Sequence, residues 1–291
     1  MNSRPLFRSD SAYESAMSLY DEALELLTHP YDCTTVPTRY GDTHVISCGD
    51  EDAPVVLLWH GMNVNSTMWV GLMNCLAPLY RVYAIDTIGN QGRSAATRPD
   101  KHSLAHSEWA LDVMDALHVQ QAHCVGFSQG GWLIFRLAEL AGNRILSAVL
   151  LSCAGIAPIN YSLLLRMAPA LFFPIGEQRA YALIRLTSAP RHKPSPYEVR
   201  VFMNMQDYHV EGVVPLLQPE QIRSLTAPVK LIMGSYDRTF RAARVTRRLQ
   251  KFLPKAEVTI LGGLSHGLEE NRPLVYDHII QFIERHTKQT P

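Results

Sequence analysis

His123-Cys124-Val125-Gly126-Phe127-Ser128-Gln129-Gly130-Gly131 is the stretch whose reading decides the fold. A short apolar run precedes Gly126, and Trp132, Leu133, Phe135, Leu137, Ala138 and Leu140 then recur at helical spacing. The pattern reads as a strand, a very tight turn with Ser128 at its apex, and a helix. A strand that passes at once into a helix crowds its neighbours, so glycine is needed at 126 and 130, where a Cβ would clash. The apex residue is held in a strained conformation that pushes its hydroxyl into open space. The following helix points backbone N–H groups at whatever that hydroxyl attacks.

Outward from this turn, the chain alternates between strand and helix. Residues 53–59 form a continuous apolar run, as expected of a strand buried on both faces, and His60-Gly61-Met62-Asn63 ends it. Helical periodicity follows to Leu79 with Ser66 or Thr67 as N-cap, then a strand at 82–85 closed by Asp86, then a helix at 104–117. Beyond the turn come a strand at 146–152, strands at 228–233 and 256–261, and helices at 239–252 and 273–285. This alternation predicts right-handed βαβ units and a parallel sheet. Residues 156–214 break it: they are proline-punctuated, helical and rich in Leu, Met, Phe and Tyr, and read as an insertion. Near the N-terminus, residues 11–27 form an amphipathic helix expected to pack outside the core. Residues 38–49 read as a hairpin turning at Tyr40-Gly41-Asp42.

A chain of 291 residues, 47% of them hydrophobic, has enough apolar material for one large α/β domain. Its 27 basic and 27 acidic residues balance, which argues against nucleic acid as a partner. The five cysteines, Cys33, Cys48, Cys75, Cys124 and Cys153, are odd in number and lack C-x-x-C spacing, and three sit in apolar runs, so buried thiols in a reducing compartment are expected. Residues 1–10 lack an apolar signal region and no later stretch is long enough to span a bilayer, so the expectation is a cytoplasmic protein. No P-loop, dinucleotide or H-E-x-x-H motif is present, so neither cofactor nor metal is expected. Arg238, Arg241, Arg244, Arg247, Arg248 and Lys251 read as a basic, solvated helix face, with an acidic partner as the alternative. Nothing in the sequence fixes an oligomeric state.

With its G-x-S-x-G elbow, the chain resembles the α/β-hydrolase superfamily and its esterase-like serine hydrolases, from about Thr38 to the end. The resemblance implies a mostly parallel sheet flanked by helices, with residues 1–155 and 215–291 as the core and 156–214 as an inserted helical cap. A serine hydroxyl needs a base to take its proton, and the base needs an orienting group. In this superfamily the chain order is serine, acid, histidine. Asp237, in Gly234-Ser235-Tyr236-Asp237-Arg238, and His266, in Gly262-Gly263-Leu264-Ser265-His266-Gly267, each follow a late strand. Both therefore belong at the carboxyl edge of the sheet, where open α/β sheets place their sites. By resemblance the oxyanion donors are the backbone N–H groups of Met62 and Gln129.

Substrate contacts are expected from His60, Gly61, Phe127 and Met203, although the His60 ring reads better as a buttress of its loop. Asp86 is expected to organise loops; Glu269, Glu270 and Asp277 read as solvated. Two departures from the family pattern stand out. Asp86-Thr87-Ile88-Gly89-Asn90-Gln91-Gly92-Arg93-Ser94 carries one residue more than D-x-x-G-x-G-x-S, and Phe127 stands where histidine is common. In the insertion, Leu163, Leu164, Leu165, Met167, Leu171, Phe172, Phe173, Phe202, Met203 and Met205 supply packing, a fraction of them roofing the site. These features imply a carboxylesterase acting through an acyl-enzyme on a small, largely apolar ester. C–C bond, lactone or amide hydrolysis and perhydrolysis are alternatives on the same residues, and a ligand receptor or signalling partner is the alternative of another class.

Overall fold

Four of the chain's strands are apolar on both faces, and a sheet built from them must be covered on both sides. The computed structural model describes residues 3–168, 172, 174, 176–190 and 192–288. Leu171 and Phe173 lie outside the described residues, as do the side chains of Leu164 and Met167. The eight strands are β1 (Tyr31–Val36), β2 (Thr43–Cys48), β3 (Val55–Trp59), β4 (Arg81–Ile85), β5 (Ala122–Phe127), β6 (Ile145–Leu151), β7 (Val229–Gly234) and β8 (Glu257–Leu261). They stand in the order β1-β2-β4-β3-β5-β6-β7-β8. The pairs β1–β2 and β2–β4 are antiparallel, and every other neighbouring pair is parallel.

Alternation along the strands sends side chains to two cores. Leu57, Trp59, Cys124 and Leu150 face one side, where α3 (Ala105–Ala116), α4 (Gln129–Ala141) and α9 (Ala242–Phe252) cover them. Val56, Leu58, Val125 and Val149 face the other, against α2 (Val70–Leu76), α10 (Arg272–Thr287) and Tyr20 of α1 (Asp10–Leu24). Between β6 and β7 the chain makes α5 (Tyr161–Met167), α6 (Glu177–Thr187) and α7 (Pro196–Gln206), then an extended strap at 207–218, then α8 (Pro219–Arg223). Among the described residues, no helix is long and apolar enough to cross a membrane.

Several local expectations need correction. The first strand of the hairpin is Tyr31–Val36, and residues 38–42 belong wholly to the connection, closed by Gly41 N–H donating to Thr38 O at 3.1 Å. The cap before α2 is Asn65, whose side chain accepts from Thr67 N at 3.1 Å, and the first turn is 3₁₀. Helix α1 is more than an outer layer: Tyr20 is fully buried and its hydroxyl donates to Asp86 Oδ2 at 3.1 Å. The basic stripe is not one solvated helix face. Arg238 and Arg241 precede α9, Arg238 donates to Leu186 O at 3.0 Å, and Arg248 donates to Ile156 O at 2.6 Å. In the insertion, Leu165 and Phe172 are exposed rather than roofing anything.

Candidate active site

Ser128 sits between β5 and α4 with φ 49° and ψ −108°, a conformation that costs a non-glycine residue about 1–3 kcal/mol. Its own backbone holds it there. The N–H donates to Leu151 O at 2.8 Å, and the carbonyl accepts from Ala154 N at 3.0 Å and Gly131 N at 3.1 Å. The flanking glycines are demanded by space: a Cβ on Gly126 would lie 2.5 Å from the Gly130 carbonyl carbon, and one on Gly130 would lie 1.9 Å from Trp59 O. The turn therefore seats α4 directly on the end of β3 and leaves the Ser128 hydroxyl projecting.

The loops after β7 and β8 are laced together. Ser235 N–H donates to Leu261 O and Tyr236 N–H to Leu264 O, each at 2.9 Å. Gly234 permits this approach, because a Cβ there would meet Leu264 O at 2.1 Å. The result brings three distant residues into one hydrogen-bonded chain. Ser128 Oγ lies 3.3 Å from His266 Nε2, and His266 Nδ1 lies 3.0 Å from Asp237 Oδ2. Asp237 is wholly buried at its side chain, and its Oδ1 accepts from Thr239 N at 2.8 Å and Phe240 N at 2.9 Å. The His266 ring is held between the rings of Phe127 and Phe240, at 5.2 and 5.4 Å between centroids.

On the facing loop, His60 is 1% exposed and uses both ring nitrogens on backbone. Nε2 accepts from Thr87 N at 2.9 Å, so the ring proton is on Nδ1, which donates to Gly61 O at 2.7 Å. Burial lowers the His60 pKa and keeps the ring neutral. In a trans peptide the C=O and N–H point opposite ways, so anchoring Gly61 O toward His60 aims the Met62 N–H away from it. Neither the Met62 nor the Gln129 N–H donates to a protein acceptor among the described residues. His60 is thus a buttress and not a substrate contact, which corrects its place among the substrate-contacting residues. Gly61 packs under the Phe127 ring, since a Cβ would lie 2.6 Å from Phe127 Cδ1. Phe127 and Leu151, with Met68, Trp69, Leu268 and Val275 and the polar Glu269, Arg272 and Tyr276, line a small hollow of about 30 Å³ beside the loop carrying His266. Met203 packs instead on Ala180, Ile184 and Val199, within the α6–α7 pair.

Asp86 gathers the loops around it. Its carboxylate accepts from Ser66 N at 2.8 Å and Arg93 N at 2.9 Å, and its carbonyl accepts from the Ser94 hydroxyl at 2.6 Å. The extra residue in this loop leaves that closure intact and sets Asn90 Oδ1 to accept from Asn63 N at 2.8 Å. Glu270 is not the solvated residue its position in sequence implies: it accepts from Ser265 N at 3.0 Å and Ala189 N at 3.2 Å. Burial pushes its carboxyl up, but the hydrogen bonds from Ser265, from its own backbone and from Ala189 together outweigh this and hold it below its ordinary value. Phe240 and the Thr239 amide are not marked by any motif in the sequence; the signal for both is adjacency to Asp237. His192, Glu198 and Glu269 bring their ligand atoms within 4.8 Å of one another, but Arg272 Nη2, 3.1 Å from Glu269, already supplies a cation there.

A sequence model of the alpha/beta hydrolase fold matches residues 54–271. An uncharacterized carboxylesterase, nap, of Bacillus subtilis is 27% identical over 278 residues, 92% of each chain. Carboxylesterase YbfK of the same organism is 25% identical over 283 residues, 94% of this chain and 96% of that one. The crystal structure of naproxen esterase from Bacillus subtilis superposes with a TM-score of 0.83 at 24% identity, covering 94% of this chain and 99% of the other, and so shares its fold. A sheet of this order, a nucleophile-elbow turn after β5 and a family match that runs from β3 past His266 give one conclusion: the chain belongs to the alpha/beta hydrolase fold family.

Proposed function

We propose that the chain is a serine hydrolase of the carboxylesterase type, with Ser128, His266 and Asp237 as its catalytic residues. The observation that carries this reading is the hydrogen-bonded chain from Ser128 Oγ through His266 to the buried Asp237. Ser128 Oγ attacks the ester carbonyl carbon while His266 Nε2 takes its proton. The carbonyl oxygen becomes an oxyanion between the Met62 and Gln129 N–H groups. His266 then returns the proton to the leaving alkoxide, which departs as the alcohol and leaves an acyl-Ser128. Water, deprotonated by the same nitrogen, releases the acid and restores the serine. Asp237 keeps the Nδ1–H tautomer and stabilises the imidazolium.

The likeness to two carboxylesterases over nearly the whole chain supports ester over other acyl bonds. The Phe127 and Phe240 rings packed on either side of His266 support a small, largely apolar acyl or alcohol part. We read residues 156–214 as a cap on the core formed by residues 1–155 and 215–291. The five free cysteines support a reducing, cytoplasmic location. The test is steady-state turnover of a panel of p-nitrophenyl esters by the wild type and by Ser128→Ala. We expect multiple turnovers with short acyl chains and at least a ~10³-fold loss in the variant, with unchanged circular dichroism. Undiminished turnover in Ser128→Ala would end the proposal.

A further inference from the structure

Lys101 and Glu211 form an ion pair at 3.2 Å, with side chains only 11% and 10% exposed. Glu211 belongs to the strap that returns from α7, and Lys101 to the loop before α3. A buried pair of this kind contributes little net stability, because desolvation offsets most of the attraction; an apolar pair of similar size often does as well. What distinguishes it is where it reaches. Glu211 Oε2 accepts from the Gln129 side-chain amide at 3.4 Å, and its backbone N–H donates to Asn63 Oδ1 at 3.2 Å. Lys101 Nζ also donates to Gly212 O, one residue further along the strap. One residue of the strap thus touches Gln129 and the residue after Met62, the two places that carry the oxyanion donors.

The surroundings point the same way. Asn63 has φ 60° and its N–H is held by Asn90, so this loop is fixed in an unfavourable conformation from two sides. Gln129 Oε1 and Asn90 Nδ2 are buried without partners among the described residues, an arrangement that stability alone would not favour. The strap is itself bolted down. Arg98 donates to the Tyr208 hydroxyl at 3.0 Å, Tyr208 donates to Gly89 O at 2.7 Å, and Leu217 N–H donates to Gly155 O at 2.9 Å.

We propose that the Lys101–Glu211 ion pair is a positioning device for the oxyanion hole: it clamps the strap onto Gln129 and Asn63 and so fixes the spacing of the Met62 and Gln129 N–H groups. This rests on the esterase reading above. Neither side chain touches the reacting atoms; the pair acts through the Gln129 and Asn63 side chains that Glu211 holds. Glu211→Gln and Lys101→Met remove one charge each with little change in shape. The readouts are kcat and KM on a p-nitrophenyl ester, the thermal melting curve, and affinity for two probes. One is an alkyl trifluoromethyl ketone, to whose carbonyl carbon Ser128 Oγ adds, giving up its proton to His266 and generating an oxyanion. The other is the matching secondary alcohol, which forms none.

For each variant we expect kcat to fall about tenfold, less than deletion of an oxyanion donor costs, and ketone affinity to fall by the same factor. KM and alcohol affinity should stay within about twofold, in a protein still folded at the assay temperature. Should a single variant fail to fold, Lys101→Met/Glu211→Gln leaves no lone charge and carries the same comparison. Unchanged ketone affinity overturns the proposal, as does equal weakening of ketone and alcohol, or a loss of kcat that matches the unfolded fraction. If the wild type neither turns over the ester nor prefers the ketone, the esterase reading falls and this inference with it. If the wild type does both and the variants match it, this inference alone falls.

Discussion

Asp237 divides its two oxygens between separate tasks. Oδ1 accepts from the Thr239 and Phe240 amides, while Oδ2 accepts from His266 Nδ1. In Asp237→Asn the two backbone donors fix the amide oxygen at the first position, so the NH₂ group must face Nδ1. The imidazole then offers a lone pair at Nδ1 and carries its proton on Nε2, where Ser128 needs an acceptor. We expect kcat for ester hydrolysis to fall about 10³–10⁴-fold with the melting temperature little changed; a loss below about tenfold would mean that His266 works without a carboxylate. At this scale the sequence is informative where a residue's place is set by the end of a strand, as for Ser128, Asp237 and His266. It is silent where the place is set by a partner remote in sequence: nothing around Glu211 or Lys101 announces that they meet across 110 positions. His60 falls between these cases, since its buttress role can be read from the loop but its hydrogen-bonding partner, Thr87, cannot.

Elements legible in the sequence are those whose periodicity is complete. Strands β3, β5, β6 and β7 are buried along nearly their whole length and read as mainly apolar runs, broken only at His123, Ser147 and Lys230. Edge strand β1 is exposed at five of its six positions, so Tyr31–Val36 has no apolar signature, and its pairing with β2 emerges only in the sheet. Helix α8 has five residues, too few for a 3.6-residue period to register. The elbow's contact between α4 and β3 makes a sharp prediction at this scale. Gly130→Ala places a methyl 1.9 Å from Trp59 O, a backbone atom that cannot rotate away. The helix must lift from the sheet, and we expect a loss of more than about 3 kcal/mol, read as a large fall in the denaturant midpoint with little soluble protein. A midpoint close to wild type would mean that α4 is not seated as described.

Across the whole molecule, buried histidines tie stability to pH. His106 and His123 are both pushed down to about 4, chiefly by burial, with Lys101 and Arg136 adding to the effect at His106. In the unfolded chain each takes up a proton near pH 6.5, so between about 6.5 and 4 the unfolded state binds more protons than the native one. Stability is therefore fully present above that window and is lost as the pH falls through it, by up to ~3 kcal/mol for each ring at the lower end. The melting temperature should be level from about pH 8 to 7 and decline below about 6.5, and His123→Gln should flatten part of the decline. A level profile down to about pH 4.5 would contradict these assignments.

Helices α6 and α7 gather around a small cluster of their own, with Ala180, Ile184 and Val199 as its buried members and Phe202 and Met203 beside them. That cluster is separate from the two large cores that hold the sheet. Its ties to the rest run through polar contacts, such as Arg200 with Glu22 and Arg238 with Leu186 O, rather than through a shared apolar core. Substitutions inside this cluster are therefore felt first between α6 and α7, whereas the elbow and its glycines tolerate almost nothing.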